Sequence, residues 1–328
     1  MARATGIGSL PGTDIREALR MVRDVLGDGH LPYLPELPAR GPGADLLGRA
    51  AGLLVGLHVD LQPAGWRFVE RGGRDSQRTR ALWRQDLDEL AEAFDGYEGD
   101  LKVQCAGPWT LAAGLELQRG EKALADAGAV RDLVGSLAEG LRLHLEEVAR
   151  LVPGASLVLQ LDEPSLPAVL AGRLPTASGY GSLRAVDPQT VRTALGEVLE
   201  VATDGARTVV HCCDPAVPLP LLRETGTGAV AIDVTGLTPG RWESVAATVE
   251  QGLELYAGCL PSDGTGTARS AADVVIRGWQ GVGLPLSALA EVTATPTCGV
   301  PGLTPEGASR VQRTAVEVAE QWSERAES

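Results

Sequence analysis

The chain has 328 residues and a formal net charge of −14, with 43 acidic side chains against 29 Lys and Arg. That length suits two ordinary domains or one large α/β barrel, and the acidity argues against nucleic acid or an anionic membrane as partner, because phosphates call for basic patches. Five cysteines, Cys105, Cys212, Cys213, Cys259 and Cys298, are too sparse for a disulfide scaffold, and no charged-then-apolar leader opens the sequence, so a cytoplasmic protein acting on small molecules is expected.

Short apolar runs alternate with longer amphipathic segments, the pattern of βα units around a parallel sheet. A first strand over residues 4–8 precedes a helix over 14–26, with Thr13 as its candidate N-cap. The second strand, 31–35, leads into a segment from about 38 to 99 that is too long for a simple connection. Its pattern predicts two helices, 44–54 and 75–94, around a turn or strand pair at 58–69, an elaborated loop region over the site. Further strands are expected at 101–105, 156–161, 207–211, 228–232, 253–258 and 289–294, with helices at 131–151, 188–203 and 305–325, the last capped by Thr304. Eight strands with no Ser- or Pro-rich linker favour a single (β/α)8 TIM barrel domain over residues 1–328. An open doubly wound sheet is the alternative, but its dinucleotide fingerprint is missing: Gly6 and Gly8 begin a match that fails at Pro11, and Gly264-Thr-Gly266 makes a poor phosphate loop.

In such a barrel the C-terminal ends of the strands build the active site. The residues there are Ser9, Glu36, Gly107-Pro108-Trp109, Asp162-Glu163-Pro164, His211 with Cys213, Asp233, Gly258-Cys259-Leu260-Pro261 and Cys298. His211 and Cys213, two positions apart on an extended chain, point to the same side and can grip one ion, with Cys298 as a third ligand. Imidazole and thiolate together suit Zn²⁺. The alternative is a set of small buried cysteines at strand ends. Cys212 faces the other way, and Cys105 and Cys259 read as core residues.

Four motifs in order then carry a resemblance over essentially the whole chain: Ile7-Gly8-Ser9-Leu10-Pro11, Gln160-Leu161-Asp162-Glu163-Pro164, His211-Cys212-Cys213 and Pro296-Thr297-Cys298-Gly299. They resemble the Ile-Gly-Ser-Phe-Pro, Gln-(Ile/Leu)-Asp-Glu-Pro, His-x-Cys and terminal Cys-Gly motifs of the catalytic C-terminal barrel of cobalamin-independent methionine synthase. The resemblance implies zinc held by His211, Cys213 and Cys298, with an acid at the end of the sixth strand as fourth ligand. That family has Glu there; this chain offers Asp233, one methylene shorter, which otherwise caps the next turn. It further implies that Asp162 and Glu36 bind the ammonium of homocysteine and that the segment around Ser9 receives its carboxylate, although Glu36 also reads as a surface or helix-capping residue. Trp109, in a Gly-Pro-x-Thr turn, is a ligand wall or a packing ring, and Glu163 faces away from Asp162 toward an internal ion pair.

Two thiolates, a carboxylate and a neutral imidazole leave such a zinc site with a net negative charge, which makes it a weak Lewis acid suited to thiol alkylation rather than hydrolysis. The implied activity is zinc-dependent methylation of a small thiol, homocysteine to methionine. The full-length family pairs two barrels around methyltetrahydrofolate, whereas this chain has room for one, and the family's histidine-bearing seventh strand end is replaced by Tyr256-Ala-Gly-Cys-Leu-Pro-Ser262. The methyl donor is therefore open between methyltetrahydrofolate and a methylcorrinoid, the latter on a corrinoid protein. Two further readings are a barrel resembling uroporphyrinogen decarboxylase, which needs no metal but wants basic residues at its mouth, and a thiol- or metal-binding homologue without turnover.

Overall fold

The computed structural model describes residues 1–202 and 205–328. In chain order the strands are β1 (Arg3–Ala4), β2 (His58–Gln62), β3 (Gly65–Val69), β4 (Gly99–Ala106), β5 (Ala155–Asp162), β6 (Arg207–Cys212), β7 (Ala229–Asp233), β8 (Glu254–Leu260) and β9 (Thr293–Pro296). The helices are α1 (Ile15–Leu26), α2 (Leu46–Ala51), α3 (Arg74–Ala93), α4 (Pro108–Gly114), α5 (Ala127–Leu151), α6 (Leu166–Leu170), α7 (Pro188–Leu199), α8 (Leu219–Leu222), α9 (Pro239–Glu250), α10 (Ala268–Gly281) and α11 (Pro305–Glu327). Seven strands form one curled parallel sheet in the order β1-β9-β8-β7-β6-β5-β4, and β2 and β3 form a separate antiparallel hairpin.

The expected second strand, 31–35, is not a regular strand. Pro32 and Pro35 remove backbone donors from it, yet the segment bonds to both edges of the sheet. Leu31 N donates to Ala4 O at 3.0 Å and Glu36 N to Gly8 O at 3.1 Å on one side. On the other, Leu34 N donates to Lys102 O at 3.0 Å and Lys102 N to Pro32 O at 2.9 Å. The first strand is regular only at Arg3–Ala4, and the chain beyond it is glycine-bound: a Cβ on Gly6 would fall 2.4 Å from the Tyr33 hydroxyl. The last strand begins at Thr293, because residues Leu286–Glu291 form a 3-10 helix.

The elaborated region takes the expected form of two helices flanking a strand pair, α2, β2, β3 and α3. The predicted helix 188–203 is α7 followed by a 3-10 turn at Glu200–Ala202; Thr203 lies outside the described residues. Thr304 caps α11 as expected, accepting from Gly307 N at 3.1 Å, but α1 is capped by Asp14 rather than Thr13. On α11 the stripe Val311, Ala315, Val318 and Trp322 is buried against the sheet side. Truncating Trp322, fully buried, to Ala should cost about 3–5 kcal/mol.

Two cores result from strand alternation. Leu157, Leu159 and Leu161 of β5 join the large core beneath the helices, whereas Val158 belongs to a second cluster with Leu31, Val209, Ala229, Ala231 and Tyr256. The second cluster therefore lies inside the curl of the sheet, toward the strand N-termini. Two and four residues further along β5 the same face carries Gln160 and Asp162, and along β6 it carries His211. The concave face thus turns from apolar to polar toward the strand C-termini. Among the described residues no helix is long and apolar enough to cross a membrane.

Candidate metal centre

His211 is the penultimate residue of β6 and Cys213 follows its end, so both face the concave side. Cys212, between them, turns into the large core and is fully buried, which pushes its thiol up to about 12. Cys298 follows the end of β9 by two residues. Ligand atoms of His211, Cys213 and Cys298 lie within 4.8 Å of one another, and the two sulfurs are 3.6 Å apart. The two thiols share a hydrogen bond, and this contact lowers Cys298 to about 6 and raises Cys213, so the pair gives up its first proton readily.

The β5–β6 register sets Asp162 directly beside His211, with Oδ1 2.7 Å from Nδ1. An ionised carboxylate only accepts, so His211 donates its Nδ1 proton and keeps its lone pair on Nε2. That nitrogen is buried and, among the described residues, has no hydrogen-bond partner. Left so, it would cost about 1–3 kcal/mol; a cation accepting its lone pair removes the penalty. An imidazole beside two adjacent thiols is a donor set that fits zinc.

Beneath Asp162 runs a polar chain that sequence reading did not single out. Gln160 Nε2 donates to Asp162 Oδ1 at 2.8 Å, and Gln160 Oε1 accepts from Lys102 Nζ at 2.6 Å. Lys102 also donates to Ile7 O at 3.0 Å, and its complete burial pushes it down to about 7. Strand alternation was the available signal, since Lys102 occupies an inward position in the otherwise apolar run Leu101-Lys102-Val103.

Ser9 and Glu36 meet at the mouth, Ser9 Oγ donating to Glu36 Oε2 at 3.2 Å. Ser9 also packs on the glycine after Cys298: a Cβ on Gly299 would sit 2.9 Å from Ser9 Cβ, and Val300 N donates to Ser9 O at 2.9 Å. Glu36 is thus neither a surface residue nor a helix cap. It is 3 % exposed, and burial pushes its carboxyl up to about 7.

Three expectations are corrected by geometry. Asp233 does not join the donor group, because its Oδ1 accepts from Thr235 N at 2.8 Å and Thr235 Oγ1 at 2.7 Å; the shorter side chain is satisfied in its own turn. Trp109 is a packing ring and not a ligand wall: it is 1 % exposed, with Nε1 donating to Val191 O on α7 at 3.3 Å. Among the described residues Glu163 forms no ion pair; it accepts from Trp109 N at 2.9 Å, Thr110 N at 2.8 Å and Thr110 Oγ1 at 2.7 Å, binding the N-terminus of α4. Burial raises Glu163 to about 7 against those three bonds. A cleft of about 700 Å³ between the β2–β3 hairpin and residues 117–119 contains none of the donor residues.

Among solved structures, the chain is similar to a B12-independent methionine synthase from Shewanella sp. W3-18-1 in complex with selenomethionine, with a TM-score of 0.63 and 12 % identity over 98 % of both chains. It is similar to the same degree to a Listeria monocytogenes chain described as a candidate vitamin-B12-independent methionine synthase, with a TM-score of 0.62 and 13 % identity over 98 % of both chains. GH5_18 from Streptomyces cattleya, solved in complex with GlcNAc, matches more loosely, with a TM-score of 0.50 and 17 % identity over 98 % of this chain and 81 % of its own. No family model and no curated protein matches the sequence. At these identities the similarity shows the fold alone, a TIM-like α/β architecture.

Proposed function

We propose that this chain is a zinc-dependent methyltransferase that methylates a small thiol, with homocysteine as the leading acceptor and methionine as product. The observation that carries the reading is the buried, partnerless Nε2 of His211 beside the paired sulfurs of Cys213 and Cys298. Bound by these residues, zinc would favour the thiolate form of an acceptor thiol while the two cysteine sulfurs keep it a weak Lewis acid, which suits attack on a methyl group.

The protein's own residues do the rest. Asp162 holds the His211 ring by its Nδ1 proton, and Gln160 and Lys102 hold Asp162 from below. Asp162 and Glu36 are the carboxylates for the acceptor's ammonium, and Ser9 lies where its carboxylate would rest. Residues 1–328 are read as one catalytic barrel domain in which the 31–36 segment, bonded on both sides, stands in for the eighth strand. The acceptor and a methyl donor, methyltetrahydrofolate or a methylcorrinoid delivered by a corrinoid protein, are the proposed partners, in the cytoplasm. Incubating zinc-loaded protein with homocysteine and each donor, and measuring methionine, tests the reading; a zinc-loaded protein that forms no methyl thioether from any small thiol overturns it.

A further inference from the structure

Glu36 is tied to the elaborated region by a buried chain of charges. Arg40 donates to Asp86 through two hydrogen bonds of 2.6 and 2.9 Å, and Arg49 of α2 donates to the same carboxylate. The side chains are 7 %, 2 % and 0 % exposed for Arg40, Arg49 and Asp86. One carboxylate faces two guanidinium groups, so a unit of positive charge is left over. It faces Glu36, whose Oε1 lies 3.9 Å from Arg49 Nε. Among the described residues Arg49 Nε and Nη2 have no hydrogen-bond partner, and the guanidinium lies 3.6 Å from the centre of the Trp83 ring, which fixes it from the other side. The four charges cancel only when Glu36 is ionised.

We propose that Arg49 is a positioning residue: it holds Glu36 in its carboxylate form at the mouth and so makes the site select an acceptor that carries an ammonium group. This rests on the reading of Glu36 and Asp162 as acceptor-binding residues. Arg49 is the main influence opposing the burial that pushes Glu36 up; Ser9 and Gln104 assist it through hydrogen bonds, and Asp162 works against it. The other titratable groups facing Glu36 are Lys102 and Cys105 on β4 and Tyr33 on its own segment. A neutral Glu36 would offer an ammonium no charge.

Arg49→Met keeps a flexible apolar stem on Trp83 and leaves Asp86 paired with Arg40. Binding of L-methionine and of its desamino analogue, 4-(methylthio)butanoate, is measured by calorimetry between pH 6 and 9 on zinc-loaded protein. The variant is expected to bind methionine at least tenfold more weakly than wild type at pH 7, with the gap closing toward pH 9 and no difference for the desamino analogue. Equal loss of both ligands at every pH overturns the proposal.

A ligand-free measurement runs beside it. Glu36 ionises at higher pH folded than unfolded, so its contribution to stability falls as pH rises from about 4.5 to about 7. Arg49→Met should extend that fall to higher pH in urea titrations, and adding Glu36→Gln should abolish the extra slope. An unchanged slope overturns the role of Arg49. If wild type binds no methionine, the acceptor reading fails and the urea slopes still decide on Arg49.

Discussion

Cys213 and Cys298 are 85 residues apart in the chain, yet their sulfurs stand 3.6 Å apart. The parallel sheet does this by bringing every strand C-terminus to the same side, so β6 and β9 present their following residues to one point. His211 joins them because it shares the concave face of β6 with Cys213.

The purified protein is expected to hold about one zinc per chain, as a three-donor His/Cys site permits. Cys213→Ser and Cys298→Ser should each lose most of the metal while remaining folded, and Cys212→Ser, altered on the core side, should retain it. Elemental analysis after dialysis reads this directly. Metal that follows Cys212 and ignores Cys213 would mean that the strand faces are assigned the wrong way round.

Under the proposed function Asp162 has two tasks, and its replacement should affect both. Asp162→Ala frees the His211 ring and is expected to weaken zinc binding by roughly 10–100-fold, the usual cost of losing a carboxylate behind a histidine ligand. Asp162→Asn should lose less metal affinity, because its amide oxygen can still accept from Nδ1, but should lose binding of an amino-acid thiol. Chelator competition and calorimetry separate the two. Unchanged zinc affinity in the alanine variant would show that His211 is oriented by something other than Asp162.

Lys102 gives a pH signature of known sign. Its folded pKa is lowered from 10.5 to about 7, so between those values the unfolded chain binds more protons and stability rises with pH. Buried tyrosines and cysteines act in the opposite sense above about pH 9, so the comparison is with Lys102→Met over pH 7–9. Wild type should gain stability relative to the variant across that range in urea titrations. A constant difference would mean that Lys102 keeps its ordinary ionisation in the fold.

The donor prediction concerns proton supply. A folate amine leaving group needs an acid, and a methylcorrinoid does not. Apart from His211, the histidines are His30 beside the strand N-termini, His58 on the β2–β3 hairpin and His144, which is buried on α5 against Trp83. Methylcobalamin or a corrinoid protein is therefore expected to methylate homocysteine faster than methyltetrahydrofolate. Steady methionine formation with folate polyglutamates and none with methylcobalamin would reverse that choice and leave the zinc reading intact.

The parts of the site that lie at strand ends were legible in the sequence, since apolar runs locate the strands and the fold rule locates their working ends. That reading puts His211, Cys213, Cys298, Asp162, Glu36 and Ser9 at the strand ends, and the ligand atoms of the first three lie within 4.8 Å of one another. What spacing does not convey is whether a polar group is already satisfied. Asp233 looked like a ligand because its partner Thr235, two residues on, is as ordinary a neighbour as any, although an Asp-x-Thr turn is a readable signal. Trp109 and Glu163 depended on which side of the sheet each faced, and Arg49 on a helix packed over the site from outside the βα repeat. The 31–35 segment read as a strand from its apolar residues, but Pro32 and Pro35 left it with bonds on both sides and no regular ladder.

The small apolar cluster within the curl of the sheet has a kinetic consequence. Leu31, Val158, Val209, Ala229, Ala231 and Tyr256 are each at most 2 % exposed and fill the strand N-terminal end, so the sheet encloses a cup with a floor and not a tunnel. Whatever reaches the sulfurs of Cys213 and Cys298 enters and leaves through one opening. Under the proposed function, acceptor and donor would then queue at the same entrance, the deeper molecule loading first and the methylated product leaving after the spent donor.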